Sequence, residues 1–171
     1  MNIARASRWF LALAIVLGVV SCSERMPSKP LVGTPAPGYS GAPTDSLLAA
    51  NLALWTSSRT DAYKYRFAWG CYCDPGYVRP VDITVVGGKI VSVTDVATGL
   101  LLAPEDAAHY RTIDGLFDFI RESMDYPADQ ILASFNPTLG FPSSAYVDYR
   151  TIVADDELSF GIERVIRIRP L

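Results

Sequence analysis

The segment "YKYRFAWGCYC", residues 63–73, constrains this chain more than any other. Tyr63, Tyr65, Phe67 and Trp69 alternate with Lys64, Arg66 and Ala68. A period of two puts one set of side chains on each face of a strand. Aromatic side chains suit a pleated, half-buried surface. A row of four needs an apolar layer to cover it, so the chain must build a sheet around this strand and roof one face.

The flanking segments supply both parts. "VDITVVGGKIVSVTDV" reads as a hairpin, with Val81, Ile83 and Val85 on one face, Gly87-Gly88 as the turn, and Val91 and Val93 returning. "QILASF", "SAYVDYRTIVA" and "ELSFGIERVIRIR" complete the strands, with Asp155-Asp156 as a turn before the last. In that last strand Leu158, Phe160 and Ile162 share a parity that Arg164 interrupts, which predicts a bulge or a change of burial face near Glu163-Arg164.

Two segments have helical spacing. Leu48, Leu52 and Trp55, widened by Leu47 and Leu54, follow Thr44, Asp45 and Ser46, any of which can cap a helix. Ile113, Leu116, Phe117, Ile120 and Met124 form a second stripe behind Thr112, with Asp114 in the first turn. The expected fold is α+β: an antiparallel sheet of about five to six strands with two helices packed on one face, in the order α-β-β-β-α-β-β-β. That order is compatible with a structural duplication, although no sequence period repeats.

Residues 1–43 differ in character. Arg5 and Arg8 precede an uncharged run over residues 9–20, too short to span a bilayer, which takes ~20 residues. It has the length of a secretory signal core. The run ends in Val19-Val20-Ser21-Cys22, which resembles the bacterial lipobox, in which the cysteine is acylated and becomes the mature N-terminus. Residues 1–21 are thus expected to be a lipoprotein signal peptide. Two or more acyl chains give stable membrane anchoring where one does not. Ser23 in place of aspartate favours the outer membrane, facing the periplasm, by resemblance to a Gram-negative sorting rule. Residues 23–43, with five prolines and three glycines, continue from Cys22 as a tether, and residues 44–171 form one globular domain.

Cleavage before Cys22 would leave 13 basic against 18 acidic residues, a net charge of −5 instead of −3. A mildly acidic chain without a basic stripe is not expected to bind nucleic acid. The expected partners are the membrane, through the lipid, and an unidentified envelope protein.

With Cys22 consumed, Cys71 and Cys73 remain as an even pair in an oxidising compartment, which favours a disulfide between them. Two residues of straight strand span ~6.6 Å, at the upper edge of the Cα range for a disulfide, so the bond requires a bend that Gly70 and Asp74-Pro75-Gly76 permit. The alternatives are redox exchange, a metal site or two unpaired thiols. Asp74 beside the pair opposes an activated thiolate. His109 is the sole histidine, so a metal site lacks ligands. No phosphate loop, nucleophile elbow or cofactor motif is present, and no catalytic residue is assigned.

Several segments together resemble a bacterial family of unknown function, the domain-of-unknown-function family numbered 6174. They are "LALW", "YKYRFAWGCYC", "VDITVVGGKIVSV", "TIDGLFDFI", "FNPTLGFPSSAYVDYR" and "DDELSFGIERV", in the family's order. Its members are commonly secreted or lipid-anchored, and its pattern includes closely spaced cysteines and a proline-glycine loop. The resemblance implies a small α+β domain at the cell envelope and brings no activity. The reading that follows is a cell-envelope lipoprotein with a non-enzymatic binding or scaffold module; the alternative is a thiol-disulfide exchange protein using Cys71 and Cys73. The candidate recognition elements are the Asp74–Gly76 turn and the loop of Asn136, Pro137, Gly140, Phe141 and Pro142.

Overall fold

A computed structural model describes residues 40–168, apart from Thr60 and Pro127. The expected signal peptide, Cys22 and most of the tether lie outside the described residues. The elements in chain order are β1 (Ser40–Gly41), α1 (Asp45–Ser58), β2 (Ala62–Cys71), α2 (Pro75–Val78), β3 (Val81–Val86), β4 (Lys89–Asp95), α3 (Pro104–Ala107), α4 (Ile113–Asp125), β5 (Gln130–Phe135), β6 (Pro142–Asp148) and β7 (Glu157–Arg167).

Six antiparallel strands and the two-residue β1 form one sheet, ordered β1-β5-β6-β7-β2-β3-β4. The aromatic strand β2 lies between β7 and β3. Its central place follows from its composition: Tyr63, Tyr65 and Phe67 are at most 2 % exposed, which needs paired strands on both sides and helices above. The expected α+β class and the two principal helices are therefore present. β1 pairs Gly41 with Ala133, so the last residues assigned to the tether belong to the sheet.

Both principal helices start where their caps predict. The Thr44 hydroxyl accepts from the Leu47 N–H, and the Thr112 hydroxyl from the Gly115 N–H. α4 buries Ile113, Leu116, Phe117 and Ile120 against the sheet. It also buries Phe119, which the single stripe omitted, because Trp69 and Phe160 rise to meet it (5.7 and 6.0 Å between ring centroids). Trp55 of α1 stands edge-on to Tyr63 at 5.2 Å, and edge contacts continue from Tyr65 to Phe67 and on to Trp69. Edge-to-face pairs of this kind stabilise by about 0.5–1.5 kcal/mol beyond their area.

Two bulges set which residues face inward. Arg66 pairs with Arg164 and Phe67 with Ile162, leaving Glu163 as the extra residue of β7. The expected break thus lies where Arg164 marked it. Beyond it the inward parity changes, so Val165 packs on the core and Ile166 is 45 % exposed. In the hairpin, Thr84 pairs with Ser92 and Val85 with Ile90, so Val91 is the bulged residue. Val91 was expected beside Val93 on the returning face; it is 59 % exposed instead.

The open face of the sheet is polar. Asp82 receives Arg66 at 3.0 Å and Lys64 at 3.1 Å, and these cations hold its carboxyl below the usual range. The two α-β-β-β units do not form a repeat. β6 and β7 follow β5 in the same lateral sense as β3 and β4 follow β2, yet β5 and β2 run in opposite directions. No rotation superimposes such units with both helices on one side.

Candidate functional site

The end of β2 gathers the residues whose chemistry stood out. The strand pairs as far as Cys71 with Leu158 and then leaves the sheet. Cys71 and Cys73 stand at disulfide-bonding distance, with their Cα atoms 5.2 Å apart. The bend that the sequence required has occurred, and it turns Cys73 out of the apolar row into solvent. Tyr72, caught between the two cysteines, is 83 % exposed.

The Asp74-Pro75-Gly76 turn is the start of a short helical turn, α2. The Asp74 carboxylate accepts from the Gly76 N–H at 2.7 Å, and Pro75 occupies the first helical position, where no N–H is needed. An aspartate cap followed by proline is a helix-start signal, and reading the stretch only as a turn missed it. α3 also opens on a proline, Pro104, with Glu105 and Asp106 in its first turn, but its N-cap, Ala103, makes no side-chain bond.

Arg79 ties these pieces together. Its Nε donates to the Gly76 carbonyl at 2.6 Å, and its two terminal nitrogens lie 3.5 Å from Asp95 and 3.6 Å from Asp106. Asp95 is a built anchor: its carboxylate accepts from the Ala97 and Thr98 N–H groups at 2.8 and 2.9 Å. The Thr98 bond foremost, with the Ala97 bond, holds its carboxyl below the ordinary range.

His109 reaches the same corner from a distant part of the chain. Its ring stands edge-on to Tyr77 at 4.6 Å, with Nε2 3.3 Å from the Tyr77 hydroxyl. Its carbonyl accepts from the Trp69 indole at 3.3 Å. A polar cleft of about 300 Å³ opens among Asp74, Tyr77, Arg79, Asp106 and Tyr110. The Tyr110 hydroxyl is buried without a hydrogen-bond partner, and burial raises its pKa. Nothing local in the sequence joins Tyr77 to His109; only the return of the chain before α4 does.

The second candidate loop behaves differently. Asn136 closes it, its side-chain oxygen accepting from Thr138 and Leu139 N–H at 3.0 and 2.8 Å. Pro137 is exposed, but Gly140, Phe141 and Pro142 are buried. Phe141 stands edge-on to Trp55 at 6.1 Å, and Gly140 lies against the backbone of α1. The expected exposed recognition loop is thus, over Gly140, Phe141 and Pro142, a clamp holding α1 to the sheet. Its Gly140 and Pro142 serve packing. Among the described residues, no three His, Cys, Asp or Glu side chains stand together to hold a metal ion.

The pattern for a Family of unknown function (DUF6174) matches residues 47–167, which span α1 to the end of β7. The chain belongs to this family. For this member the matched region contains the aromatic strand, both cysteines of the turn and the clamp loop, so the geometry described above falls within the family domain. No curated protein matches the chain, and no solved structure does.

Proposed function

We propose that this member of the family is a lipid-anchored cell-envelope protein whose domain is a binding module, presenting the Cys71–Arg79 turn to a protein partner. The observation that carries the reading is the pairing of Cys71 with Cys73. It accounts for both cysteines of the domain and leaves Cys22, at its lipobox-like position, for acylation. Disulfides persist outside the cytosol, where such an anchor would hold the chain. A second feature supports a contact role: the disulfide turn fixes the backbone on both sides of Tyr72, which is 83 % exposed. A rigid aromatic side chain is ordered at small entropic cost when it binds.

The test has two arms. Cells expressing the full chain are labelled with radioactive palmitate, and the protein is analysed with and without reductant. Label on the wild type and none on Cys22→Ser supports the anchor; equal label on both refutes it. Site-specific crosslinking at Tyr72 and at Leu100, an exposed control, is then compared. A discrete adduct from position 72 alone supports the contact surface, whereas equal or absent adducts at both refute it.

One observation favours a second reading, thiol-disulfide exchange. Cys73 is exposed, so an attacking thiolate has access to the bond. Titrating the purified protein against a glutathione buffer decides it: a bond that stays oxidised at every accessible potential excludes exchange.

A further inference from the structure

A second cleft, of about 440 Å³, lies at the other end of the sheet from the disulfide turn. We infer that it binds a small monocarboxylate with an aliphatic or aromatic body, the apolar part lying against Trp55, Tyr63 and Val165 and the carboxylate on Arg167. The inference stands apart from the envelope reading and needs neither the anchor nor a protein partner.

Three observations lead to it. The walls are mainly apolar: Trp55, Tyr63, Leu139, Val165 and Ile166 line the cleft between the end of α1 and the end of β7. Its volume lies within the ~300–1,000 Å³ of small-molecule sites. Next, Trp55 is only 2 % exposed, and its indole N–H is buried without an acceptor. Buried N–H groups of native proteins nearly always have one, so the residue that walls the cleft carries an orphan donor.

The third observation is the charge at the mouth. Arg59 and Arg167 both line the cleft, but they are not equivalent. Arg59 is neutralised by a two-pronged contact with Asp114, at 2.9 and 2.8 Å. Arg167 spends one N–H on the Ser58 carbonyl at 2.7 Å and has no carboxylate partner among the described residues. Its remaining donors suit a carboxylate, which guanidinium binds through paired hydrogen bonds. The Glu163 bulge puts it there, because Arg167 shares the parity of Val165, which turns inward only beyond that extra residue.

Octanoate is the probe, with octylammonium and octanol as controls, added to the purified full chain while the Trp55 indole N–H resonance is followed by NMR. The expected result is a saturable shift with octanoate, a much weaker one with octanol and none with octylammonium. Arg167→Gln, at an exposed position, should leave the thermal midpoint unchanged and weaken octanoate binding about tenfold, as the loss of one charge-assisted pairing implies. Absence of a saturable shift with octanoate overturns the inference. So does an equal response to octylammonium, or unchanged affinity in Arg167→Gln.

Discussion

Gly140→Ala tests the clamp between the β5–β6 loop and α1, and the molecule contains its own control. Gly140 has φ +78°, where an L side chain is strained by about 1–2 kcal/mol. A Cβ there would also meet the Asn51 carbonyl oxygen at 2.4 Å and the Leu54 Cβ and Trp55 N at 2.9 Å. Two of those three atoms are helix backbone and cannot rotate away. Overpacking of this kind adds about 1–3 kcal/mol. Together the variant should lose about 2–5 kcal/mol, a large share of the ~5–15 kcal/mol that holds a domain folded. Gly88 has nearly the same backbone, φ +74°, but a Cβ there meets nothing within 4 Å. Gly88→Ala should therefore show the strain alone, about 1–2 kcal/mol. Urea unfolding followed by far-UV circular dichroism, extrapolated linearly to water, measures both. Equal losses, within about 0.5 kcal/mol, would refute the close approach of the loop to α1.

Three further outcomes follow from named contacts. Asp148 is 7 % exposed with one carboxylate oxygen unpartnered, and burial, then Asp156, Glu157 and Asp129, raise its pKa. The folded state therefore prefers the neutral acid; its favourable share is complete below the ordinary value near 3.8 and is lost as pH rises through the raised one. Asp148→Asn should be more stable than wild type at pH 7, with the gain vanishing towards pH 3 in urea midpoints. Replacing both Cys71 and Cys73 by serine removes a bond closing a very short loop, so the loss should be about 1–2 kcal/mol, with the far-UV spectrum unchanged. Deleting Glu163 leaves Ile162 opposite Phe67 and Arg164 opposite Arg66 in an uninterrupted ladder, so the variant should fold with a cooperative thermal transition, whereas deleting Gly161 should not.

Much of this architecture was legible because local and global preferences agree. The aromatic row of β2 needed only period two, and both main helices were announced by threonine caps and apolar spacing. The β7 bulge was legible because a charged residue broke an apolar parity. The β4 bulge was not: Ile90, Val91 and Val93 are all apolar, so no polar residue marked the extra one. Phe119 was missed for a related reason. It lies off the main stripe of α4 and is buried by Trp69 and Phe160, which belong to β2 and β7.

The two candidate recognition elements separate on the same principle. Glycine and proline state that a chain turns; they do not state what the turn lies against. At residues 136–142 the positive φ of Gly140 serves backbone approach to α1, and three of the five residues expected in solvent are buried. At residues 71–79 the same residue types end a strand whose pairing stops at Cys71, and Tyr72, Cys73, Asp74 and Tyr77 are exposed. What distinguishes them is what each lies against. α1 ends beside Leu139 and closes one end of the sheet through the Ser58 hydroxyl, which donates to the Leu139 carbonyl at 3.2 Å. At the other end α4 packs Phe119 on Trp69 and Phe160, and beyond it the turn after Cys71 meets short helical turns held by Asp74, Asp95 and Arg79. Polar pins of this kind order a surface without burying it, which is why the exposed tyrosines and His109 collect at that end.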